Sequence, residues 1–221
     1  MFDFLENYDL LGAFWVTVQL TVYSALGSLI WGTLLAGMKV SPVPLMRGFS
    51  TTYVNVVRNI PLTVIIVFSS LGLYQTLGIA LGADATADIN FRLAVLALSA
   101  YTAAFVCEAL RSGINTVPVG QAEAARALGL SFTQVLRLII LPQAFRAVVN
   151  PLSNVLIALT KNTTVASAIG VAEASSLMKG MIEAEAQLIL IALVFAFGFI
   201  VLTLPTGLIL GWVSKKVAVK R

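Results

Sequence analysis

Charged residues divide the chain into long apolar segments. No Asp, Glu, Lys or Arg occurs in 11–38, 59–83 or 186–214, which are 28, 25 and 29 residues long. Each segment exceeds the roughly 20 apolar residues that a helix needs to cross a bilayer. Two shorter apolar segments, 93–107 and 147–160, each continue beyond a single charged residue. For these two segments, a re-entrant or surface helix is the alternative to a full transmembrane span. The pattern predicts an all-α integral membrane protein, a single domain over 1–221 with five transmembrane helices at about 11–38, 52–78, 91–111, 147–171 and 187–213.

Composition supports this prediction and excludes several classes of protein. The chain is 59% hydrophobic and 11% charged, with a mean hydropathy of +0.96, whereas soluble domains carry about 25% charged residues. It has no His and one Cys, so the commonest general base and the usual zinc ligands are missing. We therefore predict no catalytic residue, no metal site and no enzymatic activity. The net charge of +4 is explained by the excess of Lys and Arg that cytoplasmic loops of membrane proteins carry. It therefore does not indicate a nucleic acid as partner.

The distribution of basic residues predicts the orientation in the membrane. With the N-terminus outside, the outer side has only Arg92 and Lys179, beside the acidic Asp3, Glu6, Asp9, Asp84, Asp88, Glu183 and Glu185. The other side collects Lys39, Arg47, Arg111, Arg126, Arg137, Arg146, Lys215, Lys216, Lys220 and Arg221. Because cytoplasmic loops carry the excess of Lys and Arg, this asymmetry predicts an outer N-terminus and a cytoplasmic C-terminus.

The longest predicted cytoplasmic loop, about 112–146, has the pattern of two short helices. Pro118 suits a first helical turn, and an alanine-rich segment follows it. Gly129 fits a C-terminal glycine cap. Ser131 and Gln134 form a capping-box pattern that begins a second helix, which we expect to end near Leu141-Pro142. A helix of small residues lets another protein approach closely; a surface hairpin without a partner is the alternative.

The same loop resembles a known motif. Glu123-Ala124-Ala125, Gly129 four residues later and Leu141-Pro142 have the spacing of the EAA loop of ABC importer permeases. The resemblance extends to Gly120-Gln121, Thr17-Val18-Gln19-Leu20-Thr21, Arg58 with Pro61, the segment from Glu108 to Ile114, and Lys161-Asn162-Thr163-Thr164. Over nearly the whole chain, these residues resemble the permeases of polar amino-acid importers, and most closely the glutamate permeases.

This resemblance implies a fold, a location and a set of partners. The fold is that of type I ABC importer permeases, in the bacterial plasma (inner) membrane. An extracytoplasmic binding protein would deliver the amino acid, and a second permease of different sequence would complete the pore. A separate cytoplasmic ATPase would hold ATP and Mg, since this chain contains no Gly-x-x-x-x-Gly-Lys-Ser/Thr motif. The residues that would seat in that ATPase are Gly120, Glu123, Ala124, Ala125, Arg126, Gly129, Leu141 and Pro142.

The expected function is import by alternating access, with glutamate or a related acidic amino acid favoured. Two alternatives come from other classes of protein. One is a secondary transporter driven by an ion gradient, although such proteins usually need more helices and inverted repeats. The other is a membrane adaptor whose loop recruits a cytoplasmic partner.

Three charged residues fall within the predicted spans, where a charge costs a few kcal/mol. Lys161 either faces the pathway and binds a carboxylate, pairs with Glu108 or a carbonyl, or snorkels to the interface. Arg58 either snorkels or lines the pathway. Glu108 either pairs with Arg111 or contacts the EAA loop, or else binds substrate. The candidate pathway residues are Arg58, Asn59, Glu108, Lys161, Asn162, Thr163 and Thr164.

Overall fold

The computed structural model describes residues 7–185 and 187–217, and these residues contain helices but no strand. The helices are α1 (Leu10–Lys39), α2 (Pro44–Asn59), α3 (Leu62–Phe68), α4 (Thr86–Ile114), α5 (Val119–Ala127), α6 (Phe132–Val135), α7 (Leu141–Asn162), α8 (Ala174–Glu185) and α9 (Leu188–Val217). The expectation of an all-helical membrane protein is confirmed. Of the charges used to predict the orientation, Asp3, Glu6, Lys220 and Arg221 lie outside the described residues.

Four helical segments in the described part of the chain are long and apolar enough to span a membrane: Leu10–Lys39, Thr86–Ile114, Phe132–Ile169 and Leu188–Ile209. A fifth candidate span is a bent pair of helices, because α2 and the helical segment Leu62–Thr76 meet at an angle of 102°, as in a broken span or a re-entrant loop. The sequence predicts one helix over 52–78, and the structure instead has a break at Ile60. Pro61 has no N–H and disfavours a helical residue before it. Ile60 is accordingly extended, with ψ 132°.

The centre of the bundle is the contact between α1 and α4. Along α1, the buried face includes the small residues Thr17, Ser24 and Gly32. Small residues let helices approach closely where lipid supplies no hydrophobic driving force. Leu20 and Leu98, both fully buried, belong to the apolar cluster beside this contact.

The segment after α5 is helical without interruption from Phe132 to Ile169. The expectation that the second loop helix ends near Leu141-Pro142 is therefore wrong. Helical turns of π type over Leu136–Ile140 join α6 to α7, and the N–H of Leu141 donates to the carbonyl of Leu136, five residues earlier. Pro142 then follows in the first turn of α7, and because it has no N–H to donate to the preceding turn, the change from π to α hydrogen bonding falls at this position.

At its far end α7 passes into a 3₁₀ helix, Thr163–Ile169, which stops at Gly170 with φ 80°. The transmembrane helix predicted over 147–171 is therefore an α-helix only as far as Asn162 and a 3₁₀ helix beyond it. A further helix, α8, follows and was not predicted. The N–H of Ala174 donates to the hydroxyl of Thr17 at 3.1 Å, which ties the start of α8 to α1.

The last helix, α9, occupies Leu188–Val217 where the sequence predicts 187–213. Phe195 is fully buried and stacks on Phe14 of α1, with 5.7 Å between ring centroids. Most of the remaining apolar surface of α9 is exposed, as expected of a helix that faces lipid. Near its end Lys216 lies 3.9 Å above the ring of Trp212, a pair typical of the membrane interface.

Candidate functional site

The cytoplasmic loop predicted at 112–146 contains a short helix with a well-defined end. In α5, Leu128 is the C-cap and Gly129 follows with φ 86°. The N–H of Leu130 donates to the carbonyl of Ala125 at 3.2 Å, and that of Gly129 to Arg126 at 2.9 Å. These two bonds form a Schellman motif, which needs a residue with positive φ and so favours glycine. The expectation of a glycine cap at this position is confirmed.

The next helix begins with the predicted capping box. The N–H of Ser131 donates to the side-chain oxygen of Gln134 at 2.8 Å, and the N–H of Gln134 donates to the Ser131 hydroxyl at 3.4 Å. The guanidinium of Arg126 lies 5.9 Å from the ring centroid of Phe132. The side chain of Gln143 donates to that of Gln121 at 2.6 Å, which links α5 to α7. The hairpin of α5 and α6 is therefore fixed to the membrane helix that follows it.

The hairpin presents an exposed surface of mixed character. Gly120, Glu123, Ala124, Arg126, Gly129, Leu141 and Pro142 are exposed, whereas Ala125 is buried. Val119 and Leu128 are 72% and 84% exposed. These two apolar side chains lie at the two ends of α5, one at its first residue and one at its C-cap. Seven of the eight predicted coupling residues therefore lie where a partner has access to them.

A small pocket lies between α4 and α7 within the membrane-spanning region. Its volume is about 320 Å³, within the range of small-molecule sites, about 300–1,000 Å³. Its lining includes Tyr101, Thr102 and Phe105 of α4 and Asn154, Val155, Ala158 and Asn162 of α7. The pocket thus combines two amides and a hydroxyl with aromatic walls, as a site for a small polar molecule requires.

One residue that lines this pocket, Thr102, has a side-chain hydroxyl without a partner in the described part of the chain. Thr102 is 2% exposed, and its hydroxyl makes no hydrogen bond there. A buried hydroxyl without a partner costs about 1–3 kcal/mol. Ser24, which does not line the pocket, has the other such hydroxyl among the described residues.

Glu108 lies one turn beyond Phe105, at the end of α4 that leads to α5. Lys39 of α1 donates a hydrogen bond to its carboxylate. Arg111 of the same helix lies 3.4 Å away and Arg58 of α2 lies 3.9 Å away. The four residues form what we call the Glu108 cluster. The cluster joins the ends of three helices, and it contains the Arg111 pair that the sequence suggested.

The Glu108 cluster and the pocket are adjacent. The guanidinium carbon of Arg58 lies 5.5 Å from the centroid of the Phe105 ring. Phe105 also lies 5.0 Å from Tyr101, centroid to centroid. Arg58 therefore lies beside the aromatic wall of the pocket.

Four of the other predicted pathway residues do not line this pocket: Asn59, Lys161, Thr163 and Thr164. Lys161 is exposed and is not among the partners of Glu108 in the described structure, so the proposed Lys161–Glu108 pair is wrong. The hydroxyl of Thr163 donates to Thr160 at 2.8 Å, and that of Thr164 to Lys161 at 2.8 Å, both to backbone carbonyls. Asn59 is exposed and its amide donates to the carbonyl of Asn55 at 2.6 Å. Asn162 is the neighbour of Lys161 that does line the pocket.

Sequence reasoning missed Lys39, Thr102 and Asn154 as site residues. The sequence did contain a signal for Asn154, because Ala158 and the predicted pathway residue Asn162 follow it at steps of four and therefore share its helix face. No signal was available for Lys39, whose contact with Glu108 joins residues 69 positions apart.

A wider cleft opens on the opposite side of the molecule from the Glu108 cluster. Its volume is about 770 Å³, and its polar lining residues include Gln19, Asp88 and Arg92. Arg92 also donates to the carbonyl of Leu81 at 2.6 Å. This cleft has more than twice the volume of the pocket between α4 and α7, and neither of the two residues with an unpartnered buried hydroxyl among those described lines it.

The fold defines a class, the multi-pass membrane proteins, and this chain adds a pocket between two of the spans and an exposed helical hairpin at one end of them. Comparison with known families makes the class specific. Residues 28–219 match the family of binding-protein-dependent transport system inner membrane components. The chain belongs to this family and is the membrane subunit of an ABC importer in the plasma membrane. The importer prediction is therefore confirmed over a secondary transporter or an adaptor.

Individual relatives agree with this assignment. The chain is 61% identical over 218 residues to the glutamate transport system permease protein GluC of Corynebacterium efficiens, covering 96% of both chains. It is 32% identical over 203 residues to the glutamate/aspartate import permease protein GltK of Escherichia coli O157:H7, covering 92% and 91%. A crystal structure of an amino acid ABC transporter with histidines is similar with a TM-score of 0.82 at 27% identity, covering 94% and 93%. An inward-facing structure of the MetNI methionine ABC transporter shares the fold, with a TM-score of 0.74 at 19% identity and 95% and 96% coverage.

Proposed function

We propose that this subunit imports glutamate or a closely related acidic amino acid, and that the amino acid passes through the pocket between α4 and α7. Two relatives that cover more than nine-tenths of the chain are described as permeases for glutamate or for glutamate and aspartate. The observation that carries the proposal is the pocket itself. It is lined by Thr102, whose buried hydroxyl has no partner among the described residues, and by the amide residues Asn154 and Asn162, and the cation Arg58 lies beside its wall.

The chemistry of these groups suits an amino acid with two carboxylates. Arginine binds carboxylates through a planar pair of N–H donors. Amides and hydroxyls both donate and accept, so they also suit the ammonium group. Arg58 lies on the cytoplasmic side in the proposed orientation, at the level where a substrate leaves the pocket.

The partners follow from the exposed hairpin and from the family. We assign the surface of α5 and its flanking apolar residues Val119 and Leu128 to a cytoplasmic ATPase, which would hold ATP and Mg. An extracytoplasmic binding protein would dock over the cleft near Gln19 and Arg92. A second permease, different in sequence, would complete the pore. This arrangement places the N-terminus outside and the C-terminus in the cytoplasm, as the basic residues of the loops favour.

A substitution at Gly129 tests the coupling surface. A Gly129→Val variant places a β-branched residue at φ 86°, where L-residues are strained by about 1–2 kcal/mol. We expect loss of ATP-driven glutamate uptake in proteoliposomes, with the chain still inserted in the membrane. Gly37→Val is the matched control, because a Cβ at Gly37 meets no atom within 4 Å. Normal uptake by Gly129→Val would refute the coupling role of the hairpin.

A matched pair of buried hydroxyls tests the pocket. Thr102→Val removes the unpartnered hydroxyl while keeping the shape of the side chain, so the protein should be at least as stable. If that hydroxyl binds substrate, the Kd of the purified transporter for radiolabelled glutamate, measured without binding protein, should rise roughly three- to tenfold. Ser24→Ala removes the other such hydroxyl and should leave the Kd unchanged. An equal Kd for Thr102→Val and wild type would place the substrate elsewhere.

A further inference from the structure

Arg58 stands between two possible partners. Its guanidinium lies 3.9 Å from the Glu108 carboxylate and 5.5 Å from the Phe105 ring that lines the pocket. The Arg58 side chain is 44% exposed, so water already screens part of its attraction to the Glu108 carboxylate. Of the three cations around Glu108, Arg58 is the most distant.

Glu108 does not depend on Arg58 for neutralisation. Lys39 donates a hydrogen bond to it from a side chain that is 10% exposed, and Arg111 lies 3.4 Å away on the same helix. An ionised carboxylate has about four acceptor positions, which several donors share. Glu108 therefore keeps two cations when Arg58 turns away, and the exchange leaves no buried charge unpaired.

We propose that Arg58 exchanges between Glu108 and a carboxylate of the amino acid in the pocket. This inference rests on the proposed function, and it adds a means by which the site is regulated. In the empty pocket Arg58 pairs with Glu108. A bound substrate draws Arg58 toward Phe105, and the charge balance around Glu108 then changes at the end of α4. Because α4 leads directly to α5, occupancy of the pocket reaches the segment that meets the ATPase.

The exchange predicts that weakening Glu108 tightens substrate binding. A Glu108→Gln variant removes the competing charge and frees Arg58. We expect the Kd of the purified transporter for L-glutamate, without binding protein, to fall about fivefold, the upper end for a partly exposed ion pair. In an Arg58→Met background the same Glu108→Gln change should have no effect on the Kd. If Glu108 acted only by repelling the substrate, its removal would tighten binding in both backgrounds.

Two further variants separate this exchange from a structural role. Glu108→Asp keeps the negative charge that Lys39 needs and withdraws it from Arg58, so it should also lower the Kd even if Glu108→Gln assembles poorly. Arg111→Gln removes a different partner of Glu108 and should not lower the Kd. A Kd that is unchanged or raised in both Glu108 variants would overturn the exchange.

The proposed function is judged by a separate measurement. ATP-driven uptake of glutamate by the wild-type complex, reconstituted with its ATPase and binding protein, tests the substrate. If the wild type imports glutamate and the Glu108 variants fail to tighten binding, the exchange is wrong and the function stands. If the wild type does not import glutamate, the proposed function itself is wrong.

Discussion

Glu173 offers a prediction whose magnitude follows directly from the structure. The residue precedes α8 and is fully buried. Its carboxylate accepts hydrogen bonds from the N–H groups of Ser175 at 2.9 Å and Ser176 at 2.8 Å. Burial nevertheless dominates and raises the pKa of Glu173 from 4.5 to about 7, although the two N–H groups and nearby Lys179 lower it. At 1.36 kcal/mol per pKa unit, the ionised form is disfavoured in the fold by about 3 kcal/mol.

The direction of the pH dependence follows from where the proton binds more tightly. Between pH 4.5 and about 7 the folded protein retains the proton on Glu173 while the unfolded chain has lost it. The free energy of unfolding therefore decreases as pH rises through this window. The contribution of Glu173 to stability is complete below about pH 4.5 and is lost above about pH 7.

A Glu173→Gln variant removes this dependence, because an amide does not ionise. Its NH2 group cannot accept a hydrogen bond, so the variant keeps only one of the two bonds from Ser175 and Ser176 and should be less stable than the wild type at pH 5, by about 1–3 kcal/mol. Relative to the wild type, the variant should gain up to about 3 kcal/mol of stability between pH 5 and pH 8, which for a chain of this size is roughly 6–12 °C in melting temperature. Tryptophan fluorescence on heating measures the melting temperature in detergent. Infrared spectroscopy should detect a protonated carboxyl near pH 6 that the variant lacks.

The matched control is Glu183→Gln, which removes an exposed carboxylate from the same helix. It should shift the melting temperature little at any pH. Parallel melting-temperature profiles for the wild type and Glu173→Gln from pH 5 to pH 8 would refute the reasoning, since they would mean that Glu173 is ionised in the fold at no cost.

Two further predictions concern packing and capping. A Cβ at Gly32 would lie 2.6 Å from the Val106 side chain, so Gly32→Ala should force α1 from α4 and destabilise the protein by about 1–3 kcal/mol. Gly37→Ala, with open space at the same helix, should be neutral or stabilising, and equal melting temperatures for the two variants would contradict the close approach. Ser131→Ala should cost about 1 kcal/mol through loss of its cap. Faster amide hydrogen exchange in α6 would report that cost, and the exposed Thr133→Ala is its control.

The sequence was sufficient for those features that depend on local pattern. Charge-free segments predict the spans, since a helix of fixed rise must cross a bilayer of fixed thickness. The glycine cap at Gly129 and the capping box at Ser131 depend on residues a few positions apart, and both are present. The second span illustrates the limit, because hydropathy does not reveal that Ile60 and Pro61 turn the chain by 102°.

The pairing of charges was not predictable in the same way. Lys161 and Glu108 looked like partners because both are charged at membrane depth. The actual partners of Glu108 include Lys39 and Arg58, which belong to other helices and come close only when α1, α2 and α4 pack. Helix rotation decides such contacts, and a shift of one residue turns a side chain by about 100°. Asn162 lines the pocket and Lys161 does not for this reason.

The connection between the hairpin of α5 and α6 and the pocket follows from chain order. The two helices that bound the pocket, α4 and α7, are also the two that flank the hairpin. They meet closely near the hairpin, where Gly113 faces Ala144 and Val148. Phe105 lies eight residues further along α4, about 12 Å at 1.5 Å per residue. A rotation of about 10° at the Gly113 contact would therefore move the pocket wall by roughly 2 Å, comparable to the helix shifts of known switching transitions. A small movement of the hairpin would thus change the width of the pocket without any change in the interior of either helix.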